Sequence, residues 1–227
     1  MSFDLLLFRQ YYDVITVRLC VQDPYAQAAA IPKPYVKGAT TRMETTFFEM
    51  TEQEKALVLE VMKNARKQEY TPEKLCEVQK IIDTQYFYWW MNDLKKEELA
   101  NEIFEDELEC YCTGAGFYKS SAHDWAVGAK YCNSFINSAH MGHQPLVWLQ
   151  DDTHAKGIFF FESNMNYLDN KDLHEHFFIY CHDFVKRSNG RWAISAYRLI
   201  QTKLHGVVRP ETFVAPADYI FPPWEEV

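Results

Sequence analysis

The sequence predicts an α+β fold, a curved antiparallel sheet wrapped around helices. Two observations lead there. Helix-start chemistry recurs between residues 51 and 132, and from Ser138 onward four strand-like runs follow one another across short turns. Helices first and hairpins after them are the arrangement of a sheet closing over its helices.

Residues 3–21 are rich in β-branched and aromatic side chains, which favours a strand, yet the run is long enough for a helix. Asp23-Pro24 and Ile31-Pro32-Lys33-Pro34 are breakers, so 23–40 reads as an irregular connection. Thr51-Glu52-Gln53-Glu54 is a capping box and predicts a helix over 52–67. Thr71-Pro72 opens a second, longer helix, because proline at the first helical position loses only an N–H that was unpaired anyway. Leu75, Val78, Ile81, Ile82, Phe87 and Trp89 carry its apolar spacing up to Asp93. A short helix holding Leu99 and Phe104 follows, then a strand over 107–113. Ser120 or Ser121 can cap a further helix to about residue 132. Strands are expected over 146–149, 156–165, 174–186 and 191–204, with Ser188-Asn189-Gly190 as a hairpin signal. The tail from Gly206 has prolines at 210, 216, 222 and 223 and reads as extended chain.

The chain has 227 residues, 23 basic against 32 acidic, and a net charge of -9. That balance argues against a nucleic-acid binder, which needs a basic footprint, and against docking on anionic membrane. Asp4, Arg9, Asp13 and Arg18 interrupt the N-terminal run, which therefore reads as neither signal peptide nor anchor. None of the six cysteines (Cys20, Cys76, Cys110, Cys112, Cys132, Cys181) forms a C-x-x-C pair, so reduced thiols in a cytoplasmic protein are expected.

Three segments resemble the SnoaL-like, nuclear transport factor 2-like superfamily. Tyr88-Trp-Trp-Met-Asn-Asp93 resembles its Y-x4-D near the end of the first long helix. Ser138-Ala-His140-Met-Gly-His143 resembles its histidine-bearing strand. Asn189-Gly190-Arg191-Trp192-Ala-Ile194 resembles its D-G-x-W-x-I hairpin. The resemblance covers residues 71–205 and implies a cone-shaped α+β barrel around a deep apolar pocket. It leaves residues 1–70 as an N-terminal extension with one helix and 206–227 as a proline-rich tail. Both are expected to wrap or lid the cone.

His140-Met-Gly-His143, followed by Ala155-Lys156-Gly157, looks most like bile-acid 7α-dehydratases, and the lindane dehydrochlorinase and scytalone dehydratase branches share the histidine position. The resemblance implies His140 as the general base of an elimination, Asp93 as its carboxylate partner and Tyr88 as the helix tyrosine. One position departs: Ser163 stands where the bile-acid pattern has an aspartate, and neighbouring Glu162 faces the opposite side of a strand.

The residue types suit that chemistry. Histidine is largely neutral at pH 7 and can accept a C–H proton. A carboxylate on its other ring nitrogen fixes the tautomer and stabilises the imidazolium. Tyr88 lies about 140° around the helix from Asp93, so the two are not stacked, but both can border one pocket. Period two places His174, His176, Phe178, Tyr180, His182 and Phe184 on one face of their strand, Phe159, Phe161 and Ser163 on another, and His140, Gly142 and Trp148 on a third. Tyr180, His182, Ser163, Phe161, Trp148 and Trp89 are therefore the candidate substrate-binding residues around an aromatic cavity. His174-x-His176 with His182 repeats no zinc signature, and the resemblance implies a branch that works without metal or cofactor, so neither is expected.

The expected function is a cofactor-independent lyase acting on a cyclic or polycyclic hydroxy compound. An isomerase or cyclase with the same base, and a non-catalytic binding or scaffold protein, stay open. The partner is then a small molecule. The resemblance also allows a homodimer, since relatives often pair through the outer sheet face.

Overall fold

The computed structural model describes residues 45–169, 172–206, 208–209, 212 and 215–225. The expectations for residues 3–21 and 23–40, and Cys20, lie outside the described residues. The element order is β1 (Thr45–Phe47), α1 (Glu52–Lys67), α2 (Pro72–Asp93), a 3-10 turn (Glu97–Glu102), β2 (Phe104–Cys112), β3 (Gly116–Ser121), α3 (Ala122–Asn133), β4 (Ile136–Leu149), β5 (His154–Tyr167), β6 (Leu173–Lys186) and β7 (Trp192–Gly206).

The helix starts follow their local chemistry. Thr51 Oγ1 accepts the Glu54 N–H at 3.2 Å, and the Glu54 carboxylate accepts the Thr51 N–H at 2.8 Å. Thr71 Oγ1 accepts the Lys74 N–H at 3.3 Å ahead of Pro72. Of the two candidate serines, Ser121 caps α3, accepting the Asp124 N–H at 3.0 Å.

Two local expectations are corrected. The segment holding Leu99 is a 3-10 turn, and Phe104 already belongs to β2, where the Ile194 N–H donates to the Ile103 carbonyl at 2.7 Å. Strand β3 was not expected. The 113–115 turn, with Gly114 and Gly116 at positive φ, folds it back on β2 so that Cys112 faces Gly116.

The strands form one curved mixed sheet in the order β3-β2-β7-β6-β5-β4, with β1 beside the end of β7. The pairing is antiparallel except between β2 and β7, which run parallel. The chain passes through β3, α3 and three long strands before β7 returns beside β2, and such a long crossover is what a parallel neighbour requires. Strands β3 and β4 end the order, so the cone is open between them.

Helices α2 and α3 fill the inner face. Tyr88, Trp125, Phe159, Tyr180 and Ile194 belong to that core. Helix α1 lies on the outer face, where Val61 packs with Tyr111, Ile158, Cys181 and Ile200. Buried Glu54 fastens it there by accepting the Tyr111 hydroxyl at 2.8 Å and the Thr113 hydroxyl at 2.5 Å. At the other end, the Glu225 N–H donates to the Glu98 carbonyl at 2.9 Å, and Phe221 packs against the core. Among the described residues, no helix is long and apolar enough to cross a membrane.

Candidate active site

Asp93 closes α2, and His140 stands on β4 where that helix end meets the sheet. The Asp93 carboxylate accepts the His140 backbone N–H at 2.9 Å and the Ser138 hydroxyl at 2.8 Å, and one of its oxygens meets His140 Nδ1 in a very short contact. Both side chains are largely buried. Burial pushes the Asp93 pKa up, but the His140 ring, its charge, its backbone N–H and Ser138 together outweigh burial, and the carboxyl sits below its ordinary value. An ionised Asp93 accepts a hydrogen bond from Nδ1–H of His140, the tautomer whose Nε2 carries the lone pair. Nε2 has no hydrogen-bond partner among the described residues.

His140 borders an interior cavity of about 120 Å³, together with Tyr88, Phe161, His176, Tyr180 and Tyr197. Three phenols meet at its inner end. The Tyr88 and Tyr197 hydroxyls are 2.7 Å apart, and the Tyr180 hydroxyl is 3.4 Å from that of Tyr88. Burial pushes the Tyr88 pKa up to about 12 and holds Tyr180 and Tyr197 well above the usual phenol range. All three are protonated at neutral pH and act as donors. Among the described residues, no group of three His, Cys, Asp or Glu side chains is placed to hold a metal ion.

The structure thus brings His140 and Asp93 into contact and puts Tyr88, Tyr180 and Phe161 on the same cavity. Tyr88 bonds to Tyr197 and not to the dyad. Ser163 sits between His140 and His176 in the sheet, fully buried, with no hydrogen-bond partner for its hydroxyl. It does not border the cavity. His182 lies behind Tyr180, its Nδ1 accepting the Arg198 N–H at 3.1 Å, and is also outside the cavity lining. Trp89 stacks on Phe161 (5.9 Å, 9°), stands outside the cavity lining, and lines an outer cleft together with Tyr86, Trp90, Asp93 and His140. Gly142 makes room for it, since a Cβ there would come within 1.7 Å of the indole.

Trp148 is a correction. It packs on the outer face with Val61 and Ile158, while Val147 points into the core. The β4–β5 register shifts between His143 and Leu146, where Gln144 has φ 51°. That bulge inserts one residue and reverses the inward parity beyond it.

Tyr197 and His176 are cavity residues absent from the sequence-derived candidates. The β6–β7 register shifts at Ser195, so inward positions pass from Trp192 and Ile194 to Tyr197 and Leu199. Straight alternation from the Trp192-x-Ile194 pair would turn Tyr197 outward. His176 did carry a signal, because it shares the alternation that places Tyr180.

A solved structure titled putative scytalone dehydratase, from Novosphingobium aromaticivorans, superposes with TM-score 0.53 at 18% identity, covering 65% of this chain and 97% of its own. The chain has the SnoaL-like, nuclear transport factor 2-like fold. A hexachlorocyclohexane dehydrochlorinase of type 2 shares that fold, with TM-score 0.51 at 19% identity over 66% of this chain and 96% of its own. So does a putative aromatic ring hydroxylase from Novosphingobium aromaticivorans, with TM-score 0.51 at 14% identity over 61% and 96%. No protein-family description and no curated protein matches the chain. These SnoaL-like neighbours span nearly their own full lengths and about two thirds of this chain.

Proposed function

We propose that this chain is a lyase that eliminates water from a small cyclic hydroxy compound, with its own side chains moving the protons. The observation that carries the reading is the His140–Asp93 contact at the wall of an aromatic cavity, with Asp93 held by two further donors. The dehydratase and dehydrochlorinase among its fold neighbours support it, as names carried by those proteins.

In the proposed reaction His140 Nε2 takes a proton from carbon. The C–H electron pair becomes the new C=C bond, and the C–O bond on the adjacent carbon breaks. A phenol of the Tyr88, Tyr180 and Tyr197 group protonates the departing hydroxyl, which leaves as water. The proton on His140 then returns to the phenol through solvent. Asp93 keeps Nδ1–H oriented and stabilises the imidazolium, as in a catalytic triad. The cavity volume favours a single ring, since an apolar cavity of about 150 Å³ takes a benzene.

The test is turnover of 3-hydroxycyclohexanone and ring-substituted analogues, followed by the absorbance of the conjugated enone. His140→Ala is expected to lower the rate by about 10²–10⁴-fold in protein that is still folded. Wild-type turnover in both His140→Ala and Asp93→Asn would overturn the dyad. A product of unchanged mass would instead assign an isomerase.

A further inference from the structure

The cavity holds a second imidazole whose hydrogen-bonding sense is opposite to that of His140. The register sets His140, Ser163 and His176 side by side across β4, β5 and β6. With strands about 4.8 Å apart, the two histidine Cα atoms lie roughly 10 Å from each other. His176 is buried, stacked on Phe178 (5.3 Å, 9°), and borders the cavity as His140 does.

Its Nδ1 lies 3.2 Å from the Gln201 amide nitrogen. With the amide nitrogen facing it, Nδ1 accepts and the ring proton resides on Nε2, an arrangement that leaves the buried Gln201 Oε1 without a hydrogen-bond partner among the described residues. Gln201 is itself anchored, its backbone N–H donating to the Thr113 hydroxyl at 3.0 Å. Burial, reinforced by His174 and His140, holds the His176 pKa well below the usual imidazole value, so the ring is neutral at pH 7. His176 Nε2 has no hydrogen-bond partner among the described residues. Asp93 therefore makes Nε2 of His140 an acceptor, and Gln201 makes Nε2 of His176 a donor, on one wall of one cavity.

We infer that His176 is a further substrate-binding residue whose Nε2–H holds a carbonyl oxygen of the substrate, an assignment that rests on the elimination reading above. Proton loss beside a carbonyl moves the C–H electron pair into a C=C bond and puts negative charge on the carbonyl oxygen. A neutral imidazole N–H holds that charge by hydrogen bonding without giving up its proton. When the carbonyl re-forms, the electron pair expels the β-hydroxyl, which a tyrosine protonates. His140 and His176 thus divide the work between carbon and oxygen of one ketone.

The probe is cyclohexanone, which has the carbonyl and no leaving group, so it binds without being consumed. Nitrogen-15-labelled full-length protein at pH 7, with His176 assigned through His176→Asn, is expected to show His176 as the Nε2–H tautomer. Saturating cyclohexanone should shift that resonance. His176→Phe should weaken cyclohexanone binding about tenfold, the loss of one hydrogen bond. An Nδ1–H tautomer, or unchanged binding in His176→Phe, would overturn the proposal. If His176→Phe does not fold, His176→Leu removes the same Nε2–H. Weakened cyclohexanone binding is then expected, and wild-type binding overturns it. Because cyclohexanone is not turned over, this result is independent of the elimination assay.

Discussion

Asp93 and His140 are joined twice: the carboxylate accepts the His140 backbone N–H at 2.9 Å and also meets its ring Nδ1. The same side chain therefore fastens the end of α2 to the edge strand β4 and sets the histidine tautomer. Asp93→Asn keeps the size but presents an amide. Turnover should fall by about 10²–10⁴-fold because the orienting acceptor for Nδ1–H is lost. Stability should fall by about 1–3 kcal/mol, the order expected when buried donors lose a charged acceptor. Enone absorbance and urea unfolding of the same preparation measure both losses.

Gly142 lies under the Trp89 ring, and the space a methyl would need is filled. Gly142→Ala should destabilise the fold by about 1–3 kcal/mol, the usual range for overpacking a core. It should also disturb the outer cleft that Trp89 forms beside the dyad. An unchanged urea midpoint would show that the indole can move aside freely.

Ser163 is buried with its hydroxyl unpartnered, so the hydroxyl contributes desolvation without a compensating bond. Ser163→Ala should leave stability unchanged or raise it by up to about 1 kcal/mol. Thermal unfolding of the variant checks this. A loss of more than that would mean that the hydroxyl holds a bond to one of the flanking histidines.

Glu77 joins α2 to the β6–β7 hairpin, accepting Lys186, Lys80 and Trp192 Nε1, each at 2.8 Å. Lys186 first, and then Lys80, pull its pKa down to about 2. The folded value is below the unfolded one, near 4.3. Its contribution is therefore present above the unfolded value and is lost as pH falls through about 2. Urea midpoints of wild type and Glu77→Gln should differ above pH 5 and converge near pH 2. A gap that stays constant over that range would show that Glu77 acts through packing alone.

Much of this molecule was legible in local sequence. Thr51 with Glu54, and Thr71 with Pro72, announce their helices because the capping groups and the amides they satisfy lie within one turn. The buried face of β6 from His174 to Phe184 follows from simple alternation. His140, Asp93 and Tyr88 stand out through family resemblance, and the structure joins the first two and puts the third in the lining of the cavity that His140 borders. Trp148 and Tyr197 escaped because each lies beyond a bulge, at Gln144 and at Ser195. One inserted residue reverses every later side chain in the strand.

The sequence by itself determined the helix starts and the run of strands that ends the chain's sheet, β5 to β7, since these depend on neighbours a few positions apart. Only the tertiary structure decided which side chains share the cavity, that β2 runs parallel to β7, and that Asp93 meets His140 while Gln201 meets His176. Those outcomes depend on pairing between strands far apart in sequence, and there a register shift of one residue separates the inside of the cone from its outside.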